Sequence, residues 1–196
     1  MVTTEQIKEL RDMTGISVMQ CKKALEEADG DKEKALAILR KKSSDIAAKK
    51  GDRELGAGAI QSYIHSNKNI GALVELSCET DFVARNEEFV TLARDIAMHI
   101  TATNPEFTDS TNISEEARAK AVEMFTKEVE ESGKSAEIKE KMMQGKLSSY
   151  FGERTLLDQP FVKNPDITIK QLIDAGVQKF GEKIMVTRFV RFSIGK

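Results

Sequence analysis

Apolar residues in the first forty positions recur at helical spacing, in three short runs. Ile7, Leu10 and Met13 make the first, Val18, Cys21, Leu25 and Ala28 the second, and Ala35, Leu36, Ile38 and Leu39 the third. Each run follows a residue that can accept from the free N–H groups of a helix start. Thr3 with Gln6, and Ser17 with Gln20, have capping-box spacing, and Asp31 can cap the third helix. Gly15 and Gly30 stop the first two. The pattern predicts a three-helix bundle of roughly 40 residues, too small to be robust alone and so an appendage to something larger.

A basic stretch follows, Arg40, Lys41, Lys42, Lys49, Lys50 and Arg53 against Asp45 and Asp52, and reads as a linker in which Gly51, Gly56 and Gly58 break any continuing helix. A solvated helix face is one reading of its charge; an RNA or an acidic partner surface is the other. The period then changes. Ile70, Ala72, Val74, Leu76 and Cys78 alternate with polar residues, a strand pattern, and a weaker strand with Ile60 and Ile64 lies upstream. Ser66-Asn67-Lys68-Asn69 suits the hairpin turn between them, since Asn tolerates positive φ.

Helices return at Asn86. Phe89, Leu92, Ala93, Ile96 and Ile100 form one stripe, ended by Asn104-Pro105. Ser114 opens a further helix closed near Gly133, and Ser135 another closed near Gly145. After Gln159-Pro160-Phe161-Val162 come a helix over Ile169 to Phe180 and a closing strand whose Ile184, Val186, Val190, Phe192 and Ile194 are expected on one face. The fold class is α+β: a three-helix domain with its basic linker over residues 1–53, then a core over 54–196 with a small antiparallel sheet and several helices.

Composition narrows the chemistry. The 196 residues are 40% hydrophobic, enough for a core, and 30 basic residues balance 32 acidic ones, which argues against a general nucleic-acid coat. The start, Met1-Val2-Thr3-Thr4-Glu5, is polar and acidic, so no secretion signal is expected. No apolar run approaches the ~18 residues of a membrane span. Cys21 and Cys78 make neither a disulfide framework nor a zinc cluster, and both fall in apolar patterns that suit inert buried thiols. His99 borders the apolar stripe of its helix, as a structural or an interface histidine would. Gly56-Ala57-Gly58 lacks the rest of a dinucleotide loop. No catalytic residue, metal site or cofactor is expected.

Thr80-Asp81-Phe82-Val83 stands between a strand and a helix, where an aromatic residue has two readings. Phe82 either tucks under the sheet or forms a braced tip that offers an acid and an aromatic to a partner.

Cys78-Glu79-Thr80-Asp81-Phe82-Val83-Ala84-Arg85-Asn86 resembles the signature of the elongation factor Ts family. Leu10-Arg11-Asp12-Met13-Thr14-Gly15, Cys21-Lys22-Lys23-Ala24-Leu25, Ala97-Met98-His99-Ile100, Asn104-Pro105-Glu106-Phe107 and Arg188-Phe189-Val190-Arg191-Phe192 extend the similarity, in order, along the chain. The resemblance implies a ubiquitin-associated-like N-terminal domain. It also implies a cytoplasmic, non-enzymatic guanine nucleotide exchange factor for the translational GTPase elongation factor Tu, met both GDP-bound and nucleotide-free, with no direct nucleic-acid or membrane contact. Thr80, Asp81, Phe82 and Val83 match the motif that disturbs the Mg²⁺ and phosphate site of the GTPase. Arg11, Val18, Met19 and His99 match further partner contacts. Ile16-Ser17-Val18-Met19-Gln20 departs from the family pattern of small residues and two methionines followed by an acid. The chain is a short form with one hairpin-bearing module, and the resemblance implies that such a form makes up the missing half by pairing as a homodimer.

Overall fold

A computed structural model describes residues 2–195. Its contacts separate into two compact units. One runs through Thr101 and takes up again at Lys170; the other is Ala102–Ile169.

The first unit begins with three helices, α1 (Thr4–Thr14), α2 (Val18–Glu27) and α3 (Lys32–Lys49). Their caps are those the sequence predicts. Thr3 and Gln6 form a reciprocal capping box, and Ser17 and Asp31 accept from the amides of Gln20 and Lys34. That amide bond also holds the Asp31 carboxyl below the usual carboxylate range. Gly15 ends α1 at φ +66°, donating to the Arg11 carbonyl at 2.7 Å in a conformation a β-carbon would strain. Leu10, Ile16, Cys21, Ala24, Leu25, Ala28, Ala35 and Leu39 form the helical core.

The third helix corrects the predicted linker. It continues through Lys49, so Arg40, Lys41, Lys42 and Lys49 are helical residues. Ser43 is buried on this helix, its hydroxyl reaching the Leu39 carbonyl at 3.0 Å and also contacting the Gln178 side chain. Half-buried Ile46 and Ala47 carry the inner face of Leu39 and Ser43 onward at helical spacing, so a continuing stripe and a tertiary contact together support the extension.

Strands β1 (Ala57–Ile64), β2 (Ile70–Cys78) and β5 (Met185–Ser193) form an antiparallel sheet in the order β1-β2-β5. In the hairpin turn, the left-handed residue is Lys68 at φ +59°, not an asparagine; Asn67 instead accepts from the Asn69 amide at 3.0 Å. The inner face of β2 is buried through Ala72, Val74, Leu76 and Cys78. Helices α5 (Glu87–Thr103) and α8 (Ile169–Phe180) supply further buried residues, among them Phe89, Ile96, Ile100, Ile173 and Val177. The rings of Phe89 and Phe180 meet edge-on at 6.0 Å. A β-carbon on Gly176 would lie 3.1 Å from Leu92, so α8 packs tightly on α5 there.

The closing strand also departs from expectation. Its register with β2 slips between Glu75 and Leu76, so Thr187 has no partner and the alternation reverses. Ile184 and Val186 point inward at 5% and 3% exposure, whereas Val190, Phe192 and Ile194 are exposed. Ile60 and Ile64 of β1 are exposed as well.

In the second unit, α6 (Glu115–Glu131) and α7 (Ala136–Gly152) pair, with Ser114 capping α6. Gly145 does not stop α7 as expected. Leu147, Tyr150 and Phe151 lie beyond it and pack with Phe107, Ile113, Ala117 and Ala121, which offsets the ~1 kcal/mol that a helical glycine costs. Strands β3 (Pro160–Phe161) and β4 (Asn164–Thr168) form a small hairpin. The second of these begins Asn164-Pro165-Asp166, residues that strands disfavour. Among the described residues, no helix is long and apolar enough to cross a membrane.

Candidate functional site

The chain leaves β2 at Cys78, passes Glu79 and Thr80, and makes a single helical turn, α4 (Asp81–Ala84). Asn86 then braces the start of α5, its side chain accepting from the Glu88 amide at 2.9 Å. Within α4 neighbouring residues face opposite ways. Val83 is 4% exposed and Phe82 is 84% exposed. The two readings of Phe82 are thereby decided: the ring stands in solvent. Asp81 is also exposed, with Arg85 at 3.4 Å across one helical turn. Asp81, Phe82, Arg85 and Asn86 border a shallow open depression.

A single turn of helix is unstable by itself. Its base is held by a group 102 positions away in sequence: one Glu182 carboxylate oxygen accepts from the amides of Glu79 and Thr80, each at 3.0 Å, and the other accepts from the Thr80 hydroxyl at 2.5 Å. Glu79 accepts from the Lys183 amide at 2.5 Å and from Arg53 at 3.0 and 3.2 Å. The Lys183 amide and the Arg53 guanidinium accordingly keep the Glu79 carboxyl below its ordinary range. Lys183 extends its own ammonium to the carbonyls of Gly51 and Arg53 at 2.6 and 2.9 Å. Sequence reading missed Glu182, Lys183, Arg53 and the role of Glu79, because nothing local in the sequence pairs them.

Cys78 sits under this network. Burial, and then the charge of Glu182, push its thiol upward, and the thiol donates to the Thr80 carbonyl at 3.3 Å. A protonated, enclosed sulfur is a poor nucleophile. Among the described residues no group of three His, Cys, Asp or Glu side chains is placed to hold a metal ion.

The other predicted residues fall in two places. Arg11 is exposed near the end of α1, and Val18 and Met19 are exposed in the first turn of α2. Met13, which the apolar stripe of α1 includes, is exposed in the last turn of that helix, before the short Gly15–Ser17 connection, and adds to the apolar surface. That connection comes close to α8, where a β-carbon on Gly15 would lie 3.3 Å from the Lys179 ammonium, itself paired with Glu88 at 2.5 Å. His99, by contrast, is fully buried within α5 and does not join either exposed group.

A third surface was not anticipated in this form. The outer face of the sheet carries Ile60, Ile64, Leu73, Val190 and Phe192, all exposed, beside a Glu75–Arg188 pair at 2.6 Å. Its expected members on β5 are there only because the slip at Thr187 turns them outward.

Comparison with known proteins gives one consistent result. The family model described as elongation factor TS matches residues 31–196. A protein named elongation factor Ts from Thermodesulfovibrio yellowstonii is 50% identical over 195 residues, covering 100% of this chain and 97% of its own. The one from Carboxydothermus hydrogenoformans is 48% identical over 196 residues, covering 100% and 90%. The one from Thermosipho melanesiensis is 46% identical over the full length of both chains.

Proposed function

The chain belongs to the elongation factor Ts family, and from that premise we propose that it is a guanine nucleotide exchange factor for elongation factor Tu, acting in translation elongation in the cytoplasm. It binds the GDP-loaded GTPase, disturbs the Mg²⁺ and phosphate site, and stays bound to the nucleotide-free form after GDP leaves. The observation that carries this reading is Phe82, 84% exposed on a turn whose base is fixed. Exposed aromatics on braced turns suit a surface that becomes buried only in a complex.

The mechanism needs no cofactor and no covalent chemistry by the factor. A protein that binds the empty, Mg²⁺-free GTPase better than the loaded one must weaken GDP by the same factor, because coupling is reciprocal. Burying a Phe side chain contributes roughly 1.5–3 kcal/mol, about one to two decades of bias when it is buried only in the empty state. Asp81 beside it brings negative charge toward groups that hold Mg²⁺ and phosphate. One turn is too little for a large acceleration, so the Arg11, Val18 and Met19 surface supplies a second hold. His99, being buried, contributes by packing within α5, the helix that follows the turn.

Three of the six basic residues of the run are engaged within the chain. Lys42 is 2.6 Å from Glu27, Lys50 donates to the Gly181 carbonyl at 2.7 Å, and Arg53 is committed to Glu79. The outer sheet face is assigned to a second copy of the chain. Its apolar centre and internally neutralised Glu75–Arg188 pair suit a two-fold contact, in which the same patch meets itself.

Displacement of fluorescent GDP from elongation factor Tu tests the reading. Substoichiometric factor is expected to speed GDP release, and excess GDP with Mg²⁺ to dissociate the complex. Unchanged release, or binding that is indifferent to GDP and Mg²⁺ but falls steeply with salt, would overturn it.

A further inference from the structure

We propose that Glu182 is the positioning residue of the exposed Asp81–Ala84 turn, and that Thr80 serves this clamp rather than the surface presented to the GTPase; the proposal rests on the exchange-factor reading above.

The geometry of Thr80 is the starting point. It occupies the N-cap of α4, with φ −129° and ψ 155°, yet its side chain caps no amide of that helix. A threonine in this place ordinarily accepts from the amide two or three residues on. Here the hydroxyl donates to Glu182 instead, at 2.5 Å. Both oxygens of Glu182 are occupied by this one segment, since the other takes the amides of Glu79 and Thr80. Three donors converging on one carboxylate fix both the position and the rotation of the chain as it enters the turn.

The turn's other supports are its packing on β1 and β2 and its own backbone bonds. Four residues are too few to hold helical shape unaided. Val83 is buried beneath it and its carbonyl accepts from the Asn86 amide at 3.0 Å, which secures the far end. Asp81 and Phe82 are left free of this clamp and exposed. Glu182 therefore sets where they point through the segment that precedes them. The adjacent Lys183 ties the Gly51–Arg53 segment into the same place, so the exit from α3 and the base of the turn share one anchor.

The test uses the full chain carrying Glu182→Ala, Glu182→Gln or Thr80→Val, with Phe82→Ala as a reference. GDP release from elongation factor Tu is measured beside amide hydrogen exchange of residues 79–84 in the free factor. Glu182→Ala is expected to deprotect the amides of Glu79 and Thr80 and to slow GDP release about tenfold, as turns in the active pose become a minority. Glu182→Gln keeps the geometry, because its carbonyl oxygen can accept both amides while its NH₂ donates to the Thr80 oxygen; both readouts should stay near the natural protein's. Thr80→Val should fall between, and should add nothing in the Glu182→Ala background. If Glu182→Gln is as slow as Glu182→Ala, the charge acts on the GTPase directly and the proposal is overturned. Normal release by folded Glu182→Ala, with Phe82→Ala slow, overturns it as well. If Phe82→Ala also releases GDP normally, the reading of the turn as the exchange element fails, while protected amides in Glu182→Ala would separately remove the clamp. Should Glu182→Ala fail to fold, Glu182→Gln and Thr80→Val decide the matter by the same readouts.

Discussion

The hydroxyls of Ser77 and Thr187 meet at 2.6 Å across β2 and β5, at the one residue of β5 that has no partner in the register. That extra residue reverses which side chains face the interior. Before it Ile184 and Val186 are buried; after it Val190 and Phe192 are exposed.

Deleting Thr187 should therefore be tolerated better than a deletion within a strand ordinarily is. With the extra residue gone, Val186 and Arg188 become neighbours on opposite faces, so Ile184 and Val186 stay buried and Val190 and Phe192 stay exposed. Only the Ser77–Thr187 hydroxyl contact is lost. Urea unfolding should show a midpoint near that of the natural chain; a fall matching the roughly 3–6 kcal/mol for exposing two such side chains would show that this slip does not set the facing of the strand.

The same slip creates the face assigned to a second copy. Light scattering at micromolar concentration is expected to give a mass near twice 21.8 kDa. Phe192→Asp, which puts a charge on the β5 side of that face, should give the single-chain mass with its melting temperature nearly kept. A monomer for the natural chain across the micromolar range would remove the pairing.

A fragment of residues 55–196 tests the proposed boundary between 53 and 54. The three N-terminal helices have their own core, and their links to the rest described above are mainly hydrogen bonds and ion pairs, of Ser43, Lys50 and Arg53. The fragment should unfold cooperatively, at a lower temperature than the whole chain, and should lose much of its exchange activity with the Arg11, Val18 and Met19 surface. An unfolded fragment would show that the division is wrong.

What could be read from the sequence was whatever short-range rules determine. The caps at Thr3, Ser17, Asp31 and Ser114 fall where predicted, and so does the helix Ile169–Phe180, because each depends on residues within one or two turns. The alternation of β2 was legible because one face is buried from Ala72 to Cys78. The errors share a different cause. The far half of α3 meets Gln178 through Ser43, the continuation of α7 past Gly145 rests on an aromatic cluster with Phe107, and the facing of β5 on a slip against β2. The motif Thr80–Val83 could be seen in the sequence, but its support by Glu182 could not, being a contact between distant segments. Exposure of Phe82 was left open for the same reason, since a strand-to-helix connection fixes neither face.

Acid should expose the contribution of Glu79. Its folded-state carboxyl titrates below its ordinary value, chiefly through the Lys183 amide and then Arg53. The stabilisation is complete above the ordinary carboxylate range and is lost as pH falls through the lowered folded value. In Glu79→Gln the acid limb of the stability profile should be flatter, and the deficit against the natural chain should be larger at neutral pH than near pH 3. A constant deficit at all pH values would mean that the carboxylate charge contributes nothing there.

Phe82 and Val83 are adjacent residues in sharp contrast, with 84% and 4% exposure. Truncating Val83 to alanine removes two buried carbons and should cost about 1–3 kcal/mol of stability, with GDP release by the folded fraction largely kept. Truncating Phe82 to alanine removes a ring that the folded chain leaves in solvent, so the melting temperature should move little. The same change removes surface that becomes buried only against the GTPase, and GDP release should slow by roughly one to two decades. Asp81→Ala should slow release as well, again with little thermal cost, because its partner Arg85 is an exposed one. Thermal melts and stopped-flow GDP release on the same preparations separate the two residues. A Phe82→Ala factor that melts early yet exchanges normally would reverse the assignment, placing the ring in the fold and leaving the turn without its anchor.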